Sequence, residues 1–259
     1  MSEQQSPSQA GPGAPGDITH FGFRTVPMTE KAGLVGHVFS TVADRYDLMN
    51  DLMSLGIHRA WKAAMLDWLS VRPGMHLVDV GGGTGDIALR FLQRGGGAVA
   101  VVDINPAMLA VGRNRALDAG HLGDIDWVCG DAERLPLADA SVDAYTTAFC
   151  LRNVTRIDAA LAEARRVLRP GGRFLCLEFG RVTVTALRRL YDPYSFRVLP
   201  ALGQLVTGNG DAYRYLAESI RRFPAQQEFA RMMADAGLDL VRYRNLSGGI
   251  AALHSAWRT

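Results

Sequence analysis

The residues whose types and spacing could do chemistry are concentrated in one run, Leu77-Val78-Asp79-Val80-Gly81-Gly82-Gly83-Thr84-Gly85-Asp86-Ile87-Ala88. A short apolar stretch ends in an acid, glycines follow, and a helix-compatible segment begins. This is the outline of a first strand, tight turn and helix in a nucleotide-binding α/β fold. Read from Gly81, the acid-x-Gly-x-Gly-x-Gly spacing through Gly83 and Gly85 is the pattern associated with S-adenosylmethionine (SAM). Read from Gly83, Gly-Thr-Gly-Asp-Ile-Ala also satisfies the G-x-G-x-x-A form of the dinucleotide fingerprint. Both readings require an acid on the next strand for ribose hydroxyls, and Asp103 supplies it. Asp79 either holds the turn from the strand end or reaches a ligand through water; the run alone does not separate these.

Elements able to position these residues alternate along the chain. Strands are predicted at Leu77–Val80, 98–103, 125–129, 142–149 and 173–179, with helices between them at 87–94, from Asn105-Pro106 onward and at 157–168. Asn105 is a suitable N-cap and Pro106 a suitable first helical residue. Such alternation calls for parallel strands with right-handed crossovers. The stretches 238–246 and 249–257 read as a final antiparallel pair at the sheet edge. Five alternating strands with a terminal hairpin favour a SAM fold over an NAD enzyme, whose second half normally repeats the first.

Ahead of the glycine run, Leu34, Val38, Val42, Tyr46 and Met49 recur at helical spacing, and a second helix is predicted over 58–69. Tyr46, Asp47, Asn50 and His58 are the polar positions beside this apolar face. Residues 1–20, rich in Ser, Gln, Gly and Pro, read as a disordered tail. The 259 residues then suit a single domain over 21–259, with N-terminal helices over 21–72 and an insertion over 181–224. The net charge of +2 gives no reason to invoke nucleic acid. No run of about 18 apolar residues is present, so no membrane-spanning helix is expected. Cys129, Cys150 and Cys176 lack metal-type spacing and read as small buried hydrophobes of a reducing cytoplasm. No metal site is predicted.

Several blocks are more specific than the glycine turn. They are Phe21-Gly22-Phe23-Arg24-Thr25-Val26, Tyr46-Asp47-Leu48-Met49-Asn50-Asp51, Ser54-Leu55-Gly56-Ile57-His58-Arg59, Leu151-Arg152-Asn153-Val154, Tyr191-Asp192-Pro193-Tyr194-Ser195-Phe196 and Tyr213-Arg214-Tyr215-Leu216-Ala217-Glu218-Ser219-Ile220. With the broadly distributed Arg169-Pro170-Gly171-Gly172, they resemble the UbiE family, the C-methyltransferases of ubiquinone and menaquinone biosynthesis. The resemblance runs from about residue 21 to the end. It implies the class I SAM-dependent methyltransferase (Rossmann-like) fold, α/β, with a seven-stranded mostly parallel sheet, an antiparallel C-terminal hairpin and an N-terminal helical addition. It also implies a SAM site lined by Thr84, Asp103, Asp131 and Ala132 beside Gly81, Gly83 and Gly85, with Ala148 where the family often has serine.

The implied reaction is SAM-dependent C-methylation of a polyprenylated benzoquinol or naphthoquinol ring. Ring carbon attacks poorly unless an adjacent phenol is ionised, and phenols titrate near pH 10. Arg152 and Asn153, past the fourth strand, are the expected catalytic groups: a guanidinium to stabilise a developing phenolate and an amide to orient the ring oxygen or a proton-accepting water. A structural ion pair is the alternative for Arg152. Tyr46 is the third expected catalytic group, as an orienting partner. Over 181–224, arginines interleave with aromatic residues, as suits a substrate lid and a peripheral contact with the inner face of the cytoplasmic membrane; a solvated face over packed helices is the other reading. Contact with other quinone-biosynthesis enzymes and self-association are left open, as are methylation of another aromatic or lipid and a noncatalytic role.

Overall fold

The computed structural model describes residues 17–42, 50–51, 54, 56–121, 123–198, 200–201, 204 and 210–259. It opens with a hairpin, β1 (Ile18–Phe21) and β2 (Arg24–Pro27), and continues into α1 (Met28–Val42). After α2 (His58–Leu69) come β3 (Leu77–Val80), α3 (Asp86–Gln93), β4 (Val99–Asp103), α4 (Pro106–Asp118) and β5 (Ile125–Cys129). The second half holds β6 (Val142–Ala148), a 3₁₀ turn at Leu151–Asn153, α5 (Ile157–Val167) and β7 (Leu168–Phe179). The insertion contributes α6 (Thr185–Pro193), a π turn (Tyr194–Val198) and α7 (Gly210–Arg222). The chain ends with α8 (Gln226–Asp235), β8 (Asp239–Leu246) and β9 (Ala251–Trp257).

Seven strands form one sheet in the order β5-β4-β3-β6-β7-β9-β8. Pairing is parallel from β5 to β7 and antiparallel where β9 meets β7 and β8. Strand alternation divides the core in two. Leu77 packs with Trp61, Met65 and Phe91 on one face, while Val78 and Val80 pack with Leu161, Phe174 and Phe229 on the other. Both faces of β3 are covered, which is why its sequence is almost wholly apolar. The chain turns from β5 back to the opposite side of β3 at β6, so the switch in strand order falls between β3 and β6. In open α/β sheets ligands bind outside the carboxyl ends of strands at such a point.

Three sequence expectations need correction. The tail expected over residues 1–20 does not reach residue 20, because Ile18–Phe21 is a strand paired with Arg24–Pro27. Strands of four residues are too short to show a period, and the two-residue Gly22-Phe23 turn lacks the usual Asn-Gly signature. Arg169-Pro170-Gly171-Gly172 does not separate a helix from a strand. It bulges out of β7, whose pairing with β6 jumps from Val142↔Leu168 to Ala144↔Arg173. Cys129 is exposed at the end of β5 rather than buried; Cys176 is buried and Cys150 half-buried.

Two polar ties fix the N-terminal elements over the sheet. Lys62 of α2 lies 2.8 Å from Asp86 in the first turn of α3, where an acid also faces the positive helix end. Asn105 caps α4, its Oδ1 accepting from the Ala107 and Met108 amides, while its Nδ2 donates to Gly36 O and Ser40 Oγ of α1 at 3.1 and 3.0 Å. Asn105→Ala should therefore lower stability by about 1–2 kcal/mol, read from the denaturation midpoint. Asn105→Ser keeps a capping oxygen but cannot reach α1. It should retain more of that stability while raising proteolytic cleavage within 28–42.

Candidate active site at the carboxyl ends of the parallel strands

The glycine turn is shaped by what surrounds it. Gly81 and Gly83 adopt φ of +64° and +54°, where a side chain would be strained. A Cβ on Gly81 would stand 2.1 Å from Cys150 Sγ, so the turn and the end of β6 approach as closely as they do only because position 81 has none. Asp103, at the end of β4, locks the turn from the side. Its Oδ2 accepts from the Gly83 amide at 2.9 Å and its Oδ1 from the Asn105 amide at 2.8 Å. Burial raises this carboxyl above the ordinary range, and the backbone amides pull it back.

Asp79 sits beneath the turn. It is register partner to Thr146, whose hydroxyl donates to Asp79 Oδ1 at 2.8 Å. Oδ2 is buried without a hydrogen-bond partner among the described residues. Burial pushes this carboxyl up to about 7, against the Thr146 hydrogen bond and the Lys62 charge. A group so enclosed supports the turn and does not line the cavity above it.

That cavity, about 260 Å³, spans the ends of β3, β4, β5 and β6. Its polar lining includes Asp103, Asn105, Asp131, Glu133 and Arg156 beside Gly81, Gly83 and Ala132. Asp131 is placed by its own turn, Oδ1 accepting from the Glu133 amide at 2.9 Å. Its apolar lining includes Met28, Ala32, Val35 and Phe39 of the N-terminal segment, Met108 of α4, and Phe149. Phe149 is buried with φ +58°, a left-handed conformation rare for an aromatic residue. It turns the chain sharply off β6, so that Phe149 and Cys150 line the cavity whereas Ala148 does not.

Of the other sequence-predicted residues, Asn153 also lines the cavity. Thr84 is buried behind the turn, its hydroxyl accepting from Arg115 Nη1 at 3.3 Å, and Gly85 caps α3 against the Trp127 ring. Tyr46 and Asp47 lie outside the described residues. Asn50 and His58 are buried at the start of α2 rather than in the cavity wall, with His58 Nε2 2.9 Å from Asp51 Oδ1. Burial and the Lys62 charge hold His58 below its usual pKa, against the Asp51 hydrogen bond.

Arg152 is only 3% exposed and does not line the cavity. Its Nη1 lies 3.0 Å from Glu178 Oε2, and its own amide donates to Glu178 Oε1 at 3.3 Å. The guanidinium stands 5.9 and 5.6 Å from the Phe149 and Phe179 ring centres. Burial raises Glu178, and the arginine opposes that rise. Arg152 thus forms the structural ion pair weighed as the alternative for this residue. Sequence could not decide the point because Glu178 is 26 residues away, on the neighbouring strand.

Further residues around this turn were not singled out as site residues from the sequence. Lys31 of α1 is buried, and its Nζ donates to Val154 O at 2.9 Å. Burial brings its pKa down to about 8, with the charge of Glu133 acting against the fall. Glu133 accepts from the Thr155 and Arg156 amides at 3.0 and 2.9 Å. Tyr215 of α7 donates to Asn153 Oδ1 at 2.9 Å. Among the described residues, no cluster of His, Cys, Asp or Glu is placed to hold a metal ion.

The ion pair gives a direct test. Glu178→Ala strands the buried guanidinium and should cost about 3–5 kcal/mol of stability, whereas Arg152→Met with Glu178→Leu removes both charges and should recover most of it. Chemical denaturation of the single and double variants reads both effects.

The ubiE/COQ5 methyltransferase family model matches residues 26–258. The ubiquinone/menaquinone biosynthesis C-methyltransferase UbiE of Paracoccus denitrificans (strain Pd 1222) is 61% identical over 242 residues, covering 93% of this chain and 96% of that one. The protein of the same name in Cereibacter sphaeroides (strain ATCC 17029) is 57% identical, covering 93% and 97%. A Thermotoga maritima SAM-dependent methyltransferase, described as a possible histamine N-methyltransferase, shares the fold. Its TM-score is 0.59 at 21% identity, over 86% of this chain and 99% of that one. The family match begins in the hairpin and ends beyond the last strand, so it takes in the sheet, the cavity and the insertion together: the chain belongs to the ubiE/COQ5 methyltransferase family.

Proposed function

We propose that this methyltransferase moves a methyl group from SAM to a ring carbon of a polyprenylated benzoquinol or naphthoquinol. The carrying observation is the mixed lining of the cavity, with carboxylates suited to a nucleoside and apolar side chains suited to an aromatic ring with a hydrocarbon tail. The polar lining fits SAM. Asp103 has both oxygens organised by backbone amides and lone pairs remaining for two ribose hydroxyls. Asp131 can accept from the adenine amino group while the Ala132 amide donates to the ring. Thr84 keeps its proposed place at the methionine end, with the Arg115 guanidinium as a cationic neighbour for a carboxylate.

When bound, SAM supplies an electrophilic methyl group on its sulfonium. The residues of this chain have two tasks, to exclude water and to favour the ionised ring. Phe149, Met108, Phe39 and Val35 close the apolar side, strengthening every electrostatic contact inside. Asn153 stands where an N–H can meet the ring oxygen beside the attacked carbon, the position at which charge develops. Arg152 acts through the turn, its pairing with Glu178 holding Leu151–Asn153 in place. Tyr46 is retained as the orienting partner on the acceptor side. Purified protein with SAM and a short-chain demethylated quinol should yield the ring-methylated quinol, detected by mass spectrometry, and the oxidised quinone should not react. SAM binding without methylation of either quinol class would overturn the assignment.

The insertion is proposed as the membrane-facing element. Tyr213 and Tyr215 of α7 and Phe223 beyond its end are buried, so these aromatic residues do not form the surface expected of the insertion, while Arg214 and Arg222 are exposed. α6 and its surroundings do expose Arg188, Arg189, Val184 and Val198, a basic and apolar combination suited to an anionic bilayer surface. No described helix is long and apolar enough to cross a membrane. Flotation with anionic liposomes at low salt should retain the protein, and Arg188→Glu with Arg189→Glu should release it; absence of retention removes the proposal.

A further inference from the structure

Asn153 lines the cavity, and its usefulness depends on which end of its amide faces the ligand. Its oxygen is occupied by the Tyr215 hydroxyl, which donates to Oδ1 at 2.9 Å. Nδ2 has only a long contact, 3.5 Å to Phe149 O. An amide whose oxygen is engaged has its N–H groups left to offer. Tyr215 is itself immobilised: it is buried, and Phe21 of the N-terminal hairpin stacks on its ring at 4.1 Å and 17°. Burial also keeps the phenol far from ionising, so it remains a donor.

We propose that Tyr215 is a positioning residue for methyl transfer: held by the Phe21 stack, its hydroxyl fixes the Asn153 amide so that Nδ2 presents its N–H to the ring oxygen of the acceptor. This deepens the quinol reading above and rests on it. Three segments distant in sequence, the hairpin, the turn after β6 and the insertion, meet in this arrangement. Without the hydroxyl the amide is free to turn over. An acceptor oxygen then faces an oxygen that carries developing negative charge, and the interaction changes from favourable to repulsive.

The phenol adds no bond-making step of its own, so its removal should act on turnover while leaving binding nearly unchanged. Tyr215→Phe preserves the ring and its stack. It should lower kcat roughly three- to tenfold, the size of one hydrogen bond, with SAM affinity by calorimetry and the thermal midpoint close to wild type and KM little altered. Asn153→Asp still accepts from Tyr215 but offers no N–H, so its kcat should fall as far as that of Asn153→Ala. Tyr215→Phe combined with Asn153→Ala should be no slower than Asn153→Ala alone, because both act through one group. Wild-type kcat in Tyr215→Phe, or losses that multiply in the double variant, would overturn the positioning role. A wild-type enzyme that binds SAM but leaves quinols unmethylated overturns the quinol reading instead, so the two failures are distinguishable.

Discussion

The active-site wall depends on a buried ion pair. Arg152 and Glu178 are withdrawn almost completely from water, and removing charges from water costs several kcal/mol per ion unless geometry and hydrogen bonding restore it. Here the restoration is twofold. Glu178 accepts from both the guanidinium and the backbone amide of the same arginine, and two phenylalanine rings flank the cation. The consequence is geometric: the first turn after β6 is tied to the end of β7, and the next residue, Asn153, is left facing the cavity. A hydrophobic pair could give equal stability, yet it would not hold the backbone amide.

The residues after Asn153 are secured by other elements in turn. Lys31 donates to Val154 O, and Glu133 accepts from the next two amides. This part of the cavity lining is thus supported by α1, the loop after β5, the end of β7 and α7 around a segment with little regular structure. Such a wall has a reason to be irregular. A regular strand would present side chains alternately to both faces, whereas the left-handed Phe149 followed by a 3₁₀ turn delivers consecutive residues to one cavity. The cofactor wall needs less support, because the glycine turn and Asp103 hold each other through main-chain hydrogen bonds.

This difference explains which parts of the protein were legible as sequence. Strand positions, the Asn105 cap and the edge hairpin follow from local patterns of apolar, capping and turn residues, and the structure reproduces them within a few residues. The acid at position 103 was legible because its distance from the glycine run is set by one crossover helix. Arg152 was legible as important, through its motif, but its partner was not, since a strand partner carries no spacing signal. Lys31 and Tyr215 gave no signal that separates a clamp from an ordinary amphipathic helix residue, for the clamp exists only once α1 and α7 have packed.

The sequence by itself determined the alternating α/β order, the donor-binding turn and, through its specific blocks, the family. Those features are local: a glycine where φ must be positive, an apolar run where both strand faces are covered, an acid one crossover away. The tertiary structure alone decided that Arg152 pairs with Glu178, that Tyr213 and Tyr215 of the insertion are buried, and that Asn153 is held by Tyr215. These are pairings across 26 and 62 residues. Side chains so far apart are brought together only by the packing of the whole sheet and its helices, and their chemistry is set by the burial that packing creates.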